Sequence, residues 1–355
     1  MKRLIFILPV LAILCSCSHR DDNAFDHEEW NGVYYWKTVL DISPEENAFQ
    51  NRHKVGRLYL RMFDVTAEQS NSVLTFEKVV PNASIQIPRY RDEETEETLQ
   101  SMIVPVVYIT IEALKASKGK EGELAQRIVE RVRRMCKYHD LNDVEGLQLD
   151  CDWTATTEKS FFLLCDSAKI HISRRGLNWC LSSTIRLHQL ARKAPPVDYG
   201  VLMVYNTGSF DDPDAANSII SLKDVKPYLR HLDNYPLHID VAYPTYSWQL
   251  LFRNRHFIGL LSDIDLNDST HYAPIADNKH RVLCDMMHKD KIIRKGDVIR
   301  TEESSFAEIL AVKKAIERHL AGRPHCNIIY HLDSANLSKY KADEIEKLYS
   351  IDRRD

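Results

Sequence analysis

Residues 145–153 read Glu-Gly-Leu-Gln-Leu-Asp-Cys-Asp-Trp, a short apolar run with a polar side chain at every second position. This alternation is typical of a β-strand, in which successive side chains point to opposite faces. The apolar residues then share one face, and the other face carries Gln148, Asp150 and Asp152. The run predicts a largely buried strand whose end presents two carboxylates on the same side.

Seven further apolar runs, rich in Val, Ile and Tyr, resemble this one, and amphipathic helical patterns such as the one at 121–139 lie between many of them. The predicted strands cover residues 33–40, 55–65, 102–111, 145–152, 179–187, 200–206, 237–243 and 327–332. Ser305 and Glu308 form a capping-box signature that opens a helix over 305–321. Eight strands alternating with helices predict an α/β fold, a (β/α)8 barrel of the TIM type.

Two stretches depart from the ideal repeat. Residues 91–97 are highly charged and predict a loop, where the helix between the second and third strands is poorly marked. Residues 249–303 form a long insertion between the seventh and eighth strands, and its start predicts a β-hairpin around 253–256. We assign the insertion to one barrel domain, 32–355, because the barrel takes its eighth strand from beyond it.

The composition limits the classes of function. The chain has 355 residues and a net charge of −4, without a basic stripe, so nucleic acid is not an expected partner. Only 11 Gly occur and no Gly-rich phosphate loop is present, which argues against a nucleotide cofactor. The 15 His show no His-Glu-x-x-His spacing and no Cys-x-x-Cys pair occurs, so we expect no metal site.

The start of the chain indicates export. A short basic segment precedes an apolar run over 4–14, shorter than the ~20 residues that a membrane-spanning helix needs. The run ends in Leu-Cys-Ser-Cys at 14–17, which resembles the lipobox of bacterial lipoproteins. The resemblance implies a signal peptide over 1–16, acylation of Cys17 as a bilayer anchor, and a tether over 17–31. An ordinary secretory signal is the alternative.

The residues after Cys17 bear on location. Ser-His-Arg-Asp-Asp at 18–22 resembles the surface-export signal of Bacteroidota lipoproteins, and the whole chain resembles lipoproteins of that group with a barrel domain. The resemblance implies a protein that is lipid-anchored in the outer membrane and exposed at the cell surface. The alternative is that 18–22 serve only as a soluble tether.

In TIM barrels the functional side chains lie at the C-terminal ends of the strands. Asp150 and Asp152 end the fourth predicted strand, and two neighbouring carboxylates can raise the pKa of one of them toward neutrality. Arg186 and His188 end the fifth. Arg186 either clamps a ligand or neutralises the two carboxylates, and both interpretations stay open.

Other candidates come from the remaining strand ends. Aromatic rings at a barrel mouth can stack on sugar faces, although most aromatic residues belong to the core. The candidates for ligand contact are Tyr205, Asn206, Tyr243, Trp248, Trp36 and Asp64, with Asp333 as a further acidic residue at the eighth strand.

The fourth-strand segment resembles the Asp-Gly-x-Asp-x-Asp-x-Glu pattern of glycoside hydrolase family 18, which includes chitinases and endo-N-acetylglucosaminidases. Gly146 and Asp150 match, and Glu145, Gln148 and Asp152 replace an Asp, an Asp and the final Glu. The sixth strand resembles the family's Met-x-Tyr-Asp in its residues 203–206, where the last position is Asn.

The resemblance implies roles for these positions. Asp152 would be the general acid, Asp150 would orient the substrate's acetamido group, and Tyr205 and Asn206 would stabilise the reacting centre. The ligand would be a glycan that contains N-acetylhexosamine. Because Asp is one methylene shorter than Glu and Gln148 lacks a charge, three hypotheses remain: a glycoside hydrolase, a catalytically inactive glycan-binding barrel, and a structural lipoprotein of the envelope.

Overall fold

The computed structural model describes residues 30–68, 78–99 and 101–351. The predicted signal peptide, Cys17 and the export signal after it lie outside these residues. Numbered along the described chain, the strands are β1 (Asn31–Tyr35), β2 (Val55–Glu68), β3 (Lys78–Asn82), β4 (Met102–Ile109), β5 (Gly146–Asp150), β6 (Cys180–Arg186), β7 (Tyr199–Met203), β8 (Ile239–Pro244), β9 (Ser247–Arg253), β10 (His256–Leu261), β11 (Tyr272–Ala276), β12 (Lys279–Val282), β13 (Met286–His288), β14 (Lys291–Ile293), β15 (Val298–Glu303) and β16 (Asn327–Tyr330).

The helices of the same residues are α1 (Pro44–Arg52), α2 (Glu93–Thr98), α3 (Ile111–Ala116), α4 (Glu121–Tyr138), α5 (Glu158–Arg174), α6 (Leu222–Leu229), α7 (Phe306–Leu320), α8 (Ser334–Leu337) and α9 (Ala342–Tyr349). A 3-10 turn, Leu187–Ala191, follows β6. Among the helices of the described chain, none combines the length and the apolar composition that crossing a bilayer requires.

Eight parallel strands close into a ring. Going round it, β1 pairs with β2, followed by β4, β5, β6, β7, β8 and β16, and β16 pairs with β1 again. Each ring strand corresponds to one predicted strand, so the predicted (β/α)8 barrel is confirmed. The short strand β3 pairs antiparallel with β2 outside the ring.

Side-chain alternation sorts the ring into two cores. Alternate residues such as Tyr34, Tyr59 and Met203 fill the interior of the ring. The residues between them pack outward against the helices, which bury apolar stripes of their own, for example Leu124 and Ile128 on α4. Burial on both faces explains why the ring strands read as nearly continuous apolar runs.

Two local predictions need correction. Part of the charged stretch at 91–97 is helical: α2 begins after Asp92, whose carboxylate accepts the backbone N–H of Thr95. The Ser305 side chain caps α7 as predicted, but Glu308 does not complete the box. Its Oε1 instead accepts the backbone N–H of Leu222, 2.6 Å away, at the start of α6.

The insertion between β8 and α7 forms a separate antiparallel sheet with strand order β10-β9-β15-β12-β11, beside the small hairpin β13–β14. The predicted hairpin at its start is confirmed as β9 and β10. Asn254 and Arg255 at its turn have φ values of 50° and 68°, as a type I′ turn requires. The first residue of β9, Ser247, pairs with the last residue of β15, Glu303, so the insertion starts and ends at neighbouring points.

Candidate functional site

The two predicted carboxylates lie where the end of β5 opens into the mouth of the ring. Asp150 is buried, whereas the Asp152 side chain is 47% exposed. Leu149, which precedes Asp150, and Cys151, which lies between the two carboxylates, pack in the outer core against the helices. The alternation expected from the sequence therefore places both carboxylates on the inner face.

Arg186, the last residue of β6, bridges both carboxylates. Its Nη2 donates to Asp150 Oδ1 at 3.0 Å, and its Nε donates to Asp152 Oδ1. Thr184 Oγ1 donates to the same Asp150 oxygen at 2.6 Å. Because a guanidinium can only donate, both carboxylates act as acceptors in this arrangement. Of the two roles considered for Arg186, the geometry is that of the neutralising ion pair.

Burial shapes the electrostatics around this pair. Desolvation raises the pKa of the Asp150 carboxyl, and Arg186 and the Thr184 hydroxyl oppose the shift by stabilising the charged form. Desolvation also raises the pKa of the hydroxyl of Tyr205, a partly buried side chain, well above its ordinary value. The surroundings of Asp150 are thus weakly solvated, and one guanidinium is shared by two acids.

Below the mouth, the other positions of the motif are engaged within the barrel. Gln148 accepts the Tyr34 hydroxyl at 2.6 Å and donates to Ser182 Oγ at 3.3 Å. Glu145 lies at the opposite, N-terminal end of the ring and accepts two N–H groups of the buried Arg57 at 2.8 and 2.9 Å. Neither side chain reaches the mouth, so these two positions stabilise the barrel interior.

A cavity of about 270 Å³ opens beside Asp152. Its lining is mostly polar and comes from the ends of β5, β6 and β7 and from α6: Asp152, Arg186, Leu187, His188, Met203, Tyr205, Asn206, Thr207 and Tyr228. Asn206 has a φ of 52°, and its Oδ1 accepts the Tyr246 hydroxyl at 2.7 Å. The structure thus brings together five predicted site residues in one concave space.

A row of aromatic side chains, here called the aromatic row, runs from this cavity across the mouth. Its members are Trp36, Tyr330, Tyr205, Tyr246 and Trp248. Tyr205 stacks on Tyr330 with ring centroids 4.4 Å apart, and the ring centroids of Trp36 and Tyr330 are 5.6 Å apart. Tyr246 lies 6.2 Å from Tyr205, and Trp248 lies 5.5 Å from Tyr246. The residues selected from the sequence did not include Tyr330 or Tyr246, although both follow the strand-end rule that identified Asp150.

Tyr243 does not belong to the mouth, and its assignment to ligand contact is wrong. It is fully buried in the outer core, because β8 turns its neighbour Ala242 into the ring and Tyr243 toward the helices. Its hydroxyl has no hydrogen-bond partner among the described residues.

Two further acidic candidates have structural partners. Asp64 forms a two-point ion pair with Arg61, with contacts of 2.6 and 3.0 Å, and the Arg61 guanidinium lies 5.3 Å from the ring centre of Trp36. Asp333 caps α8 by accepting a backbone N–H. In the part of the chain that the structure describes, no group of three His, Cys, Asp or Glu side chains is arranged to hold a metal ion.

Comparison with solved structures finds glycosidases and chitinases. They include the spore cortex-lytic enzyme SleL of Bacillus cereus, at 12% identity over 92% of this chain and 76% of that chain, with a TM-score of 0.49. They also include a family 18 N-acetylglucosaminidase from Paenibacillus barengoltzii, at 12% identity over 90% of this chain and all of that chain, with a TM-score of 0.45. A Cycas revoluta chitinase of family 18 in complex with (GlcNAc)4 matches at 11% identity over 90% of this chain and 98% of that chain, with a TM-score of 0.48.

No family profile and no curated protein sequence matches the chain. The closure of the barrel is shown by the strand pairing described above, in which β1 pairs with both β16 and β2.

Proposed function

We propose that this protein is a glycan-binding barrel that holds an oligosaccharide with N-acetylhexosamine at its mouth and does not cleave it. The observation that carries the proposal is the bridge of Arg186 to Asp150 and Asp152. A general acid must hold a proton that it can donate to the leaving oxygen. Asp152, at the acid position of the motif, accepts a guanidinium N–H instead.

The remaining motif positions support the same conclusion. The second acid of the pattern is Gln148, which is engaged with Tyr34 and Ser182 inside the ring. Oδ1 of Asp150 already accepts hydrogen bonds from Thr184 and Arg186. The acids that the family motif uses for chemistry are here replaced by an amide or held by internal donors.

The mouth retains the features that bind sugars. A concave space with convergent polar groups and aromatic walls is the usual form of a small-ligand site. Here Asn206, Thr207 and His188 line the cavity beside Tyr205, and the aromatic row extends to Trp36 and Trp248. These groups offer hydrogen bonds to hydroxyl and acetamido groups and flat faces to sugar rings.

Hydrolysis is the second candidate function. It is favoured by the half-exposed position of Asp152 in the cavity wall beside Tyr205 and Asn206. In this alternative Asp152 leaves Arg186 when substrate binds, takes up a proton from solvent and then donates that proton to the leaving oxygen.

One experiment separates the two candidates. The full-length protein and an Asp152→Asn variant are incubated with chitin oligomers and N-glycan fragments, binding is measured by calorimetry, and products are sought by mass spectrometry. We expect binding by both proteins and product from neither. Product from the wild type that disappears in Asp152→Asn would establish the hydrolase instead.

The aromatic mouth is tested in the same assay. Trp36→Leu should weaken binding about tenfold, a loss of ~1.4 kcal/mol. The matched control is Tyr138→Leu, since Tyr138 is exposed at the C-terminal end of α4, on the opposite end of the barrel. Equal affinity for the wild type and Trp36→Leu would remove the mouth as the binding site.

We further propose that the protein is a lipoprotein anchored through acylated Cys17 and displayed on the outer membrane. The support is the lipobox-like segment at 14–17 and the Ser-His-Arg-Asp-Asp segment at 18–22 that follows it. Labelled palmitate should be incorporated by the wild type and not by Cys17→Ser, with Cys15→Ser as the matched control. Surface display predicts digestion of the barrel by protease added to intact cells, and protection from the protease would contradict it.

A further inference from the structure

A buried carboxylate in the insertion contacts both Trp248 and the loop between β7 and α6. Glu302 on β15 is 2% exposed. Its Oε2 accepts the indole Nε1–H of Trp248 at 2.7 Å and the backbone N–H of Ser218 at 3.0 Å. Its Oε1 lies 2.7 Å from Nε of Arg300, and both side chains of this ion pair are fully buried.

Arg300 extends the contact along the same loop. Its two terminal nitrogens donate to the backbone carbonyls of Phe210 and Asp212, at 3.0 and 2.5 Å. The loop between β7 and α6 starts with Asn206 and Thr207, which line the cavity. The insertion therefore holds the loop that forms one cavity wall, and the same carboxylate fixes the indole at the end of the aromatic row.

We infer that Glu302 is a positioning residue for the ligand site: it holds Trp248 and the β7–α6 loop in the geometry that receives the glycan, without touching the glycan. The inference rests on the proposed function, because Trp248 and Asn206 are placed in the mouth. A buried ion pair is weak evidence for stability, since desolvation offsets its attraction. What distinguishes Glu302 is that donors from Trp248 and Ser218 meet at a single oxygen.

The first test compares Glu302→Ala with Glu303→Ala, which removes an exposed carboxylate at the adjacent position. Amide hydrogen exchange is followed over residues 206–221, and affinity for chitin oligomers is measured by calorimetry. Glu302→Ala should accelerate exchange at Ser218 and weaken binding about tenfold, equal to ~1.4 kcal/mol. Glu303→Ala should change neither quantity.

The conservative variant Glu302→Gln provides the rescue. Its amide oxygen has two lone pairs and can accept from both Trp248 and Ser218. Affinity should therefore recover to within about threefold of the wild type, which is under ~1 kcal/mol. It also keeps the test open where the alanine variant does not fold. Glu302→Ala with an unfolding midpoint below that of wild type, but with wild-type exchange and affinity, would make Glu302 merely structural. Where the alanine variant does not fold, a folded Glu302→Gln that still loses about tenfold in affinity would contradict the rescue.

A double-mutant cycle connects Glu302 to the aromatic row. In a Trp248→Phe background the indole donor is gone, so Glu302→Ala should then cost less additional affinity than it costs in the wild type. Fully additive losses would overturn the link to Trp248. If the wild type binds no glycan, the proposed function fails. Exchange at Ser218 then still decides whether Glu302 holds the loop, and unchanged exchange in Glu302→Ala would overturn the inference as well.

Discussion

Replacement of Arg186 by methionine keeps much of its aliphatic volume and leaves the buried Asp150 without its guanidinium partner. Removing one member of a buried ion pair costs roughly 3–5 kcal/mol of unfolding free energy. The lower end applies here, because Thr184 Oγ1 still donates to Asp150 and the Arg186 side chain is 20% exposed. Loss of the ion pair between Arg186 and the half-exposed Asp152 adds only about 0–1 kcal/mol to this loss of unfolding free energy. We therefore expect Arg186→Met to lose about 3 kcal/mol at pH 8.

The loss depends on pH in a defined direction. Burial already raises the pKa of Asp150 above its unfolded value, and removal of Arg186 removes the main opposing influence. A carboxyl whose folded-state pKa is raised favours the folded state at pH below its unfolded pKa and loses that contribution as the pH rises through the folded pKa. Arg186→Met should therefore be less destabilised at pH 5 than at pH 8.

Urea denaturation followed by circular dichroism at both pH values measures this. Asp152→Asn is the matched control and should lose no more than about 1 kcal/mol. The double variant Arg186→Met with Asp150→Asn, which carries no buried charge, should recover most of the loss at pH 8. An Arg186→Met protein within roughly 0.5 kcal/mol of wild type at both pH values would refute the buried-pair interpretation.

Two further predictions concern buried groups away from the ion pair. Burial lowers the pKa of His53, His325 and His331, so the unfolded chain binds more protons and stability should fall as the pH drops below about 6.5. Urea midpoints at pH 7.5 and 5.5 should show a smaller fall in His325→Gln than in wild type, and equal falls would contradict the assignment. Tyr243→Phe removes a buried hydroxyl without a partner among the described residues, so its unfolding free energy should stay within about 0.5 kcal/mol of wild type or rise. Its glycan affinity should not change, and a weakened affinity in calorimetry would return Tyr243 to the mouth.

The ring was predictable because its strands are buried on both faces and carry a strong apolar signal. The charged α2 was not, since its helix depends on a cap from Asp92 and buries the polar residues Thr95 and Thr98 rather than an apolar stripe. The contact of Glu308 with Leu222 was also not predictable. The position of Glu308 in the chain fits a capping box at the start of α7, but its carboxylate accepts a backbone N–H at the start of α6, which is distant in sequence.

The site was predictable as far as alternation along one strand allows. Alternation placed Asp150 and Asp152 on one face, and the rule that strand ends meet at the mouth brought Arg186 of the next strand to them. The direction of the guanidinium depends on packing that a sequence does not show. Tyr243 was misassigned because the apolar run at 237–243 does not reveal which alternate residues face inward. Glu302 gave no signal, since its contacts with Ser218 join residues that are distant in the chain.

The pairing of Ser247 with Glu303 has a consequence for how this protein can change over evolution. Because the two ends of the insertion meet at adjacent positions of neighbouring strands, residues can be added or lost at the far turns without changing the distance that the barrel must bridge. The outer half of the insertion can therefore change in length and sequence without a change in the barrel. The ring and the β9–β15 pair, which carries Trp248 and Glu302, keep their register, so such changes leave the mouth and the barrel in place.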